Sequence, residues 1–336
     1  MGQRIEYIDV MKGMAILLVV IGHYLLWTPW IPTIIWSFHM PLFVFLNGFF
    51  FTPNEPTRII KKGFKVYMAP YFIVWFCLVF IDTTASVVSD NTAWGGVKRI
   101  ISGLYGLASN NTLNRPSFVE KIGAIWFLRA LFVGNIMMSV VIRYFNKKWI
   151  QVTLIFVSLL VAVWQTSVYC SPLRLNYGCG FLIWLYLGYI FNLNYKQASD
   201  FIEGRMGILL CFVFWVLTVI LEGKYGIYSI PSVSFPLYGL EIVGGFCGIM
   251  IIMTLSKYII GHIDWLRGLF SYLGRISLWV LCVHAVSLEI TSYLQINCDT
   301  VLISLIRIVC DVFIAVLLKE LVSCISLREK LFDLCS

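Results

Sequence analysis

Ten apolar stretches, each near the length of a membrane-crossing helix, follow one another along this chain with mostly short polar segments between them. A bilayer's hydrocarbon core is matched by about 20 apolar residues of helix. The stretches run over about 10–30, 33–52, 66–89, 122–143, 149–169, 177–193, 206–222, 235–256, 269–294 and 300–323 of the 336 residues. Hydrophobic residues make up 60% of the chain and charged ones 12%, where a soluble domain carries about 25% charge. A soluble fold could not hide that much apolar surface. The expected fold is all-α, a polytopic membrane protein of about ten helices. Strand-period alternation is missing, which argues against a β-barrel. No repeat or linker divides the sequence, so 1–336 reads as a single transmembrane domain. The first apolar stretch is too long for a signal-peptide core and has no small-residue cleavage site, so no cleaved signal is expected.

The formal net charge is +8, from 25 Lys and Arg against 17 Asp and Glu. The basic residues sit mostly between the apolar stretches, so topology explains them better than nucleic acid does, and no nucleic-acid partner is expected. With the N-terminus in the cytoplasm, seventeen of the Lys and Arg fall on the cytoplasmic side, among them Arg4, Arg328 and Lys330. Four of the other eight belong to one outer segment, about 90–121. Both termini are then cytoplasmic. Trp27, Trp30 and Trp36 form an aromatic belt where the first two helices meet the outer interface. The ten Cys show no close pair, so neither a metal site nor a disulfide framework is expected.

Ionisable residues inside membrane spans are expensive and mark candidate sites. The first span, IDVMKGMAILLVVIGH, carries Asp9, Lys12 and His23. Eleven residues return to within about 20° on a helix, so Lys12 and His23 share a face about 16 Å apart, with Asp9 on the same side. Either this is a stripe leading from a cytoplasmic charge to a mid-membrane histidine, or Asp9 and Lys12 pair at the interface while His23 bonds a neighbouring helix. In the second span His39 stands two residues before Pro41. A carbonyl freed at the proline gives His39 a structural role, and Asn47 with Gly48 suits close helix contact. Ser277 and His284 of the ninth span also share a face, but about 10 Å separates them, too far for a direct dyad. Trp126 and Arg129 stand together near the outer interface, and Glu222 and Glu241 are candidates for lining a polar cavity. Arg307 and Asp311, spaced i, i+4, read as an internal ion pair. Arg58, Lys61, Lys62 and Lys65 form a cationic cluster. Positive-inside bias or anionic lipid explains such a cluster, and a phosphate site is the sharper alternative.

Five segments in fixed order resemble a known family. They are Y-I-D-x-x-K-G-x-A-I-L-L-V-V-x-G-H, S-F-H-M-P-L-F-x-F-L-x-G-F-F, a basic stretch ending in P-Y, W-F-L-x-A-L-F, and L-G-x-x-S-L-x-V-x-x-x-H. Together they resemble the acyltransferase-3 family of bacterial membrane O-acyltransferases, in particular its short, fucose 4-O-acetylase-like members. The resemblance implies a ten-helix domain in the bacterial cytoplasmic (inner) membrane, with acetyl-CoA as donor on the cytoplasmic side and no metal. The implied acceptor is a sugar hydroxyl on a lipid-linked or cell-envelope glycan. The family's basic residue and histidine of the first helix fall on Lys12 and His23, its second-helix histidine on His39, and its helix-nine Ser and His on Ser277 and His284. Its W-F-L motif falls on Trp126, Phe127 and Leu128. The sequence departs from the pattern with Lys at 12 where Arg is commoner, Asn47 before the glycine, and Arg129 after W-F-L. A lysine meets a phosphate as a point charge without arginine's bidentate fork. Unlike longer members, the chain is expected to carry no extracellular hydrolase-type domain.

On this reading Lys12, Lys61, Lys62 and Lys65 hold the CoA phosphates, and the pantetheine arm extends towards His23. His23 is the general base on the acceptor hydroxyl, a task that suits an imidazole at neutral pH. His39 orients it or binds the developing oxyanion. Asp9, Asn47, Trp126, Arg129, Glu241, Ser277 and His284 are candidates for lining the site, and a covalent acetyl-histidine is left open. The alternative is a transporter of a small solute such as serine, built on the same membrane domain. Mid-membrane polar residues suit transport as well, but such a carrier has no need of a multi-phosphate site.

Overall fold

The computed structural model describes residues 5–28, 30–108, 115–168, 172–202, 204–226, 234–296 and 300–335. Arg4 lies outside the described residues, as do the side chains of Arg328 and Lys330. The described chain is helical throughout: α1 Glu6–Tyr24, α2 Ile31–Trp36, α3 His39–Phe49, α4 Pro56–Gly63, α5 Ala69–Asp90, α6 Trp94–Tyr105, α7 Trp126–Tyr144, α8 Lys148–Val168, α9 Leu175–Leu193, α10 Tyr195–Ile202, α11 Arg205–Tyr225, α12 Leu240–Thr254, α13 Asp264–Arg275, α14 Ser277–Tyr293 and α15 Val301–Cys335. Among the described residues eight helical segments are long and apolar enough to cross a membrane, and nine if α13 and α14, bent by 68°, form one span. The chain is therefore an all-α polytopic protein. The sixth expected stretch is α9, which is not among the eight. Its Asn176, Tyr177, Gly178 and Gly180 are tolerated because other helices surround it, with Phe181, Trp184 and Leu185 inaccessible.

Several limits differ from the sequence expectation. The first helix ends at Tyr24, so His23 sits in its last turn rather than at mid-span. The Leu25 amide still donates to Ile21, and Thr28 Oγ1 closes the next turn onto the Leu25 carbonyl at 2.7 Å. Pro32 is then accepted in the first turn of α2, where no amide is needed. The second expected span comprises α2 and α3, which an irregular turn at Ser37 and Phe38 separates without a sharp bend. Between α4 and α5 the chain runs through a π-helical segment, Phe64–Met68. Pro70 brings no N–H to the Val66 carbonyl, and the register widens so that the Ala69 amide donates to Phe64. The outer segment 90–121 contains α6, which packs on α5 through a buried Arg99–Asp82 ion pair at 2.5 Å.

The chain forms two compact units, one of residues 1–32 and 255–336 and one of 33–254. In the first unit α13 lies along α1 at backbone contact. A Cβ on Gly13 would stand 1.9 Å from the Phe270 carbonyl oxygen, and one on Gly274 the same distance from that of Asp9. Small residues at such crossings let helices approach where hydrocarbon supplies no hydrophobic drive. The α13 helix is amphipathic, with Ser271, Leu273 and Gly274 buried and Trp265 exposed. In the second unit α9 is the central helix. Gly48 of α3 meets Leu185, and Gly188 of α9 meets Phe45, each through a backbone oxygen 2.0 Å from the position of an added Cβ. The outward faces of α8, α11 and α15 carry Phe156, Leu160, Leu210, Leu217, Leu302 and Val309, as lipid contact requires.

Candidate functional site

Three helices of the first unit bring a polar cluster together inside an apolar frame. α1 contributes His23 and Tyr24, α14 contributes His284 and Ser287, and α15 contributes Ser304, Arg307 and Asp311. Asp311 is 1% exposed and His284 fully buried. One carboxylate oxygen of Asp311, Oδ2, accepts from the Tyr24 hydroxyl at 2.6 Å and stands 2.7 Å from His284 Nδ1. Facing a carboxylate, Nδ1 must carry the hydrogen in the neutral ring, so Nε2 is the lone-pair nitrogen. Nε2 has no hydrogen-bond partner. The ring of His23 lies 5.2 Å from that of His284, tilted by 46°, and the ring of Tyr24 meets His284 edge-on at 5.2 Å. His23 is only half-buried, while His284 behind it is sealed.

Backbone and hydroxyl contacts hold the cluster. Ser304 Oγ donates to the Tyr24 carbonyl at 3.0 Å, and the hydroxyls of Tyr24 and Ser287 stand 3.3 Å apart. The spacing of Arg307 and Asp311 suggested a simple ion pair. The Arg307 guanidinium lies over the Tyr24 ring at 4.2 Å, bonds Thr291 Oγ1, and reaches the Ile296 carbonyl at 3.3 Å. Thr291, Ile296 and Arg307, with Leu288, Ser292 and Gln295, line a 410 Å³ cavity. Along α14 the polar positions 284, 287 and 291 climb one face from the histidine to this cavity.

The remaining candidates are distributed over both units. Lys12 is half-buried on α1 and Asp9 is buried there. Ser277 opens α14 just after the bend, away from His284 by the length of two turns. In the second unit His39 is buried at the start of α3, and its Nδ1 stands 2.8 Å from the Ile35 carbonyl. The carbonyl that Pro41 leaves without an amide is Ser37's, so this contact belongs to the turn between α2 and α3 and not to the proline. Asn47 Nδ2 donates to the Tyr67 hydroxyl at 2.5 Å, tying α3 to the π-helical segment. Trp126 packs edge-on against Tyr177 at 5.2 Å and Phe181 at 5.7 Å. Arg129 closes the end of α6: its guanidinium donates to the Gly103 and Leu104 carbonyls at 3.2 and 2.9 Å and to that of Tyr105. Glu241 is also a cap, its carboxylate accepting from the Leu237 and Gly239 amides ahead of α12. Lys61, Lys62 and Lys65 are exposed.

Sequence reasoning did not single out Tyr24, Ser287 or Ser304, and assigned Asp311 to Arg307. Tyr24 adjoins His23 and reads as an ordinary interfacial aromatic. The available signal was Asp311 itself, a carboxylate deep in an apolar helix, which needs more partners than one flexible arginine supplies.

These features define an integral membrane protein with a buried Asp–His pair set behind an accessible histidine. A family model described as "Acyltransferase domain" matches residues 5–319, through both units. The chain belongs to this acyltransferase-3 family and is a membrane acyltransferase. No curated protein and no solved structure matches it.

Proposed function

We propose that the protein is an O-acetyltransferase of the bacterial inner membrane that moves acetyl from acetyl-CoA to a hydroxyl of a cell-envelope glycan or lipid-linked sugar. The observation carrying this reading is the half-buried His23 ring packed on His284, whose Nδ1 is held by the sealed Asp311. His23 takes the proton of the acceptor hydroxyl, and the oxygen attacks the thioester carbonyl. The tetrahedral oxyanion collapses, the C–S bond breaks, and the CoA thiolate takes up the proton from His23. Asp311, through His284, supplies the negative charge that an imidazolium at His23 needs. Removing solvent from this pair strengthens the effect. Direct transfer requires no acetyl-enzyme, and His39, with Nδ1 at the Ile35 carbonyl, is given no chemical step.

Lys12 is assigned to the donor's phosphates. It shares α1 with His23, about 16 Å away along the axis, which suits a ligand with phosphates at one end and a thioester at the other. The 410 Å³ cavity lined by Thr291, Ser292, Gln295 and Arg307 suits a sugar, whose hydroxyls ask for several fixed donors and acceptors.

The test is acetyl transfer from labelled acetyl-CoA into the lipid and glycan fractions of membranes carrying the protein. Transfer is expected for the wild type and its loss for His23→Ala at equal membrane abundance. Normal transfer by that variant would falsify the assignment of His23. Saturable uptake of serine into vesicles without any transfer would favour a carrier.

A further inference from the structure

The second unit buries two arginines that the reading above leaves without a chemical task. Arg129 is 6% and Arg174 2% exposed, and neither forms an ion pair with a carboxylate among the described residues. The guanidinium of Arg129 is occupied by the three carbonyls that end α6. That of Arg174 is not. Nη2 donates to the Tyr177 hydroxyl at 3.3 Å and the group lies over the same ring at 4.9 Å, while Nε and Nη1 have no hydrogen-bond partner. A sealed cation with two unsatisfied nitrogens is costly unless an anion completes it.

Two features around it add positive potential. Arg174 is the N-cap residue of α9, a helix of 19 residues whose N-terminus has no side-chain cap. The helix dipole adds positive potential there. Arg129 is an electrostatic neighbour of the same charge. The backbone is also held in an unusual state, with Leu173 at φ 64° and Arg174 at φ 41°, the left-handed region that non-glycine residues rarely occupy. Such strain persists where the surrounding structure imposes it.

We propose that Arg174, the N-terminus of α9 and the charge of Arg129 form a buried anion site in the second unit that binds a phosphate group. Planar guanidinium donors and a helix N-terminus, approaching from different sides, match the several acceptor oxygens that a phosphate presents around one centre better than the two coplanar oxygens of a carboxylate. The phosphate belongs either to a lipid headgroup or to a soluble phosphate compound. The site contains none of the His23 cluster, so its occupancy is measurable whether or not the protein transfers acetyl.

The purified full-length protein in neutral detergent is melted with inorganic pyrophosphate at fixed ionic strength. Separately it is melted in mixed micelles containing phosphatidylglycerol or a phosphate-free galactosyl diacylglycerol. A saturable rise in melting temperature of about 2 °C or more is expected with a phosphate probe and none with the galactolipid. A rise with phosphatidylglycerol alone assigns a headgroup, and a rise with pyrophosphate assigns a soluble phosphate. Arg174→Gln should weaken the effect about tenfold or more, as loss of a charged hydrogen-bonding group predicts, while Lys98→Gln on α6 should melt like the wild type. If Arg174→Gln does not fold, Arg174→Lys takes its place, and weaker binding is expected because an ammonium lacks the planar donor set. No shift of the wild type with either phosphate probe, or an undiminished shift in the Arg174 variant, overturns the proposal.

Discussion

Replacing Asp311 by asparagine keeps the size of the side chain and removes its charge. In the wild type Oδ2 accepts from both Tyr24 Oη at 2.6 Å and His284 Nδ1 at 2.7 Å. The amide has one carbonyl oxygen and one NH2 group. An amide oxygen in the place of Oδ2 can still accept from both Tyr24 and His284, with the NH2 group in the place of Oδ1, so the hydrogen stays on Nδ1. What is lost is the charge: both bonds become neutral ones, and no negative charge stands behind the two histidines. A hydrogen bond to a charged group contributes about 1.5–3 kcal/mol. If one such interaction is lost from the transition state, kcat falls by about 10- to 150-fold. The protein should still insert and fold, because asparagine fills the same space, and KM for the acyl donor should change little. The assay is initial acyl-transfer rate against donor concentration in membrane vesicles, normalised to the amount of folded protein. A rate within about twofold of wild type would refute the reasoning. It would leave Asp311 as a residue that secures α15 to α1 and α14 without taking part in transfer.

The α1–α13 crossing predicts a stability effect: Gly13→Leu forces side-chain atoms into the Phe270 carbonyl, so the melting temperature should drop sharply or folding fail, at about 3 kcal/mol or more. A variant melting like the wild type would show that the helices do not touch there. Arg129→Lys should be nearly as damaging as Arg129→Gln, losing about 3 kcal/mol of stability in denaturation, because one ammonium cannot cap three carbonyls as the guanidinium does. Full rescue by lysine would mean that charge alone matters. Joint replacement of Lys61, Lys62 and Lys65 by glutamine should raise KM for the acyl donor about tenfold at low salt and leave kcat unchanged, with the difference shrinking as salt is added. An unaltered KM would assign the cluster to topology or lipid contact.

Most of the architecture was readable because lipid imposes a simple rule: every spanning segment must satisfy its own backbone and present apolar side chains. That rule placed all ten stretches on helices, α9 included, although α9 is not among the eight segments long and apolar enough to cross a membrane. It did not place their ends. The proline-rich connection after Tyr24 and the wide turn before Pro70 depend on local hydrogen bonds that composition averages away. His23 was visible as a candidate because a lone histidine with a lysine eleven residues earlier is unusual in such a helix. The role of His284 was not visible, since its partner Asp311 lies 27 residues away and had a nearer basic neighbour to explain it.

Arg129 and Glu241 teach the opposite lesson. Both are ionisable residues in membrane helices, and both looked like cavity-lining groups. Both close helix ends, Arg129 on the carbonyls that end α6 and Glu241 on the amides ahead of α12. A sequence shows that a buried charge needs compensation, but the compensating backbone atoms carry no residue identity to search for.

By itself, then, the amino-acid sequence determined the solvent this chain folds in, its helical class, its family, and the helix bearing the accessible histidine. Those properties follow from hydrophobic length and short-range spacing, which are written along the chain. The tertiary structure alone decided that Asp311 belongs to His284 and Tyr24, that α1 and α13 meet backbone to backbone at two glycines, and that Arg174 is buried with two nitrogens unbonded. Each of these depends on how separate helices pack, and a pairing across helices has no periodicity in one dimension by which to recognise it.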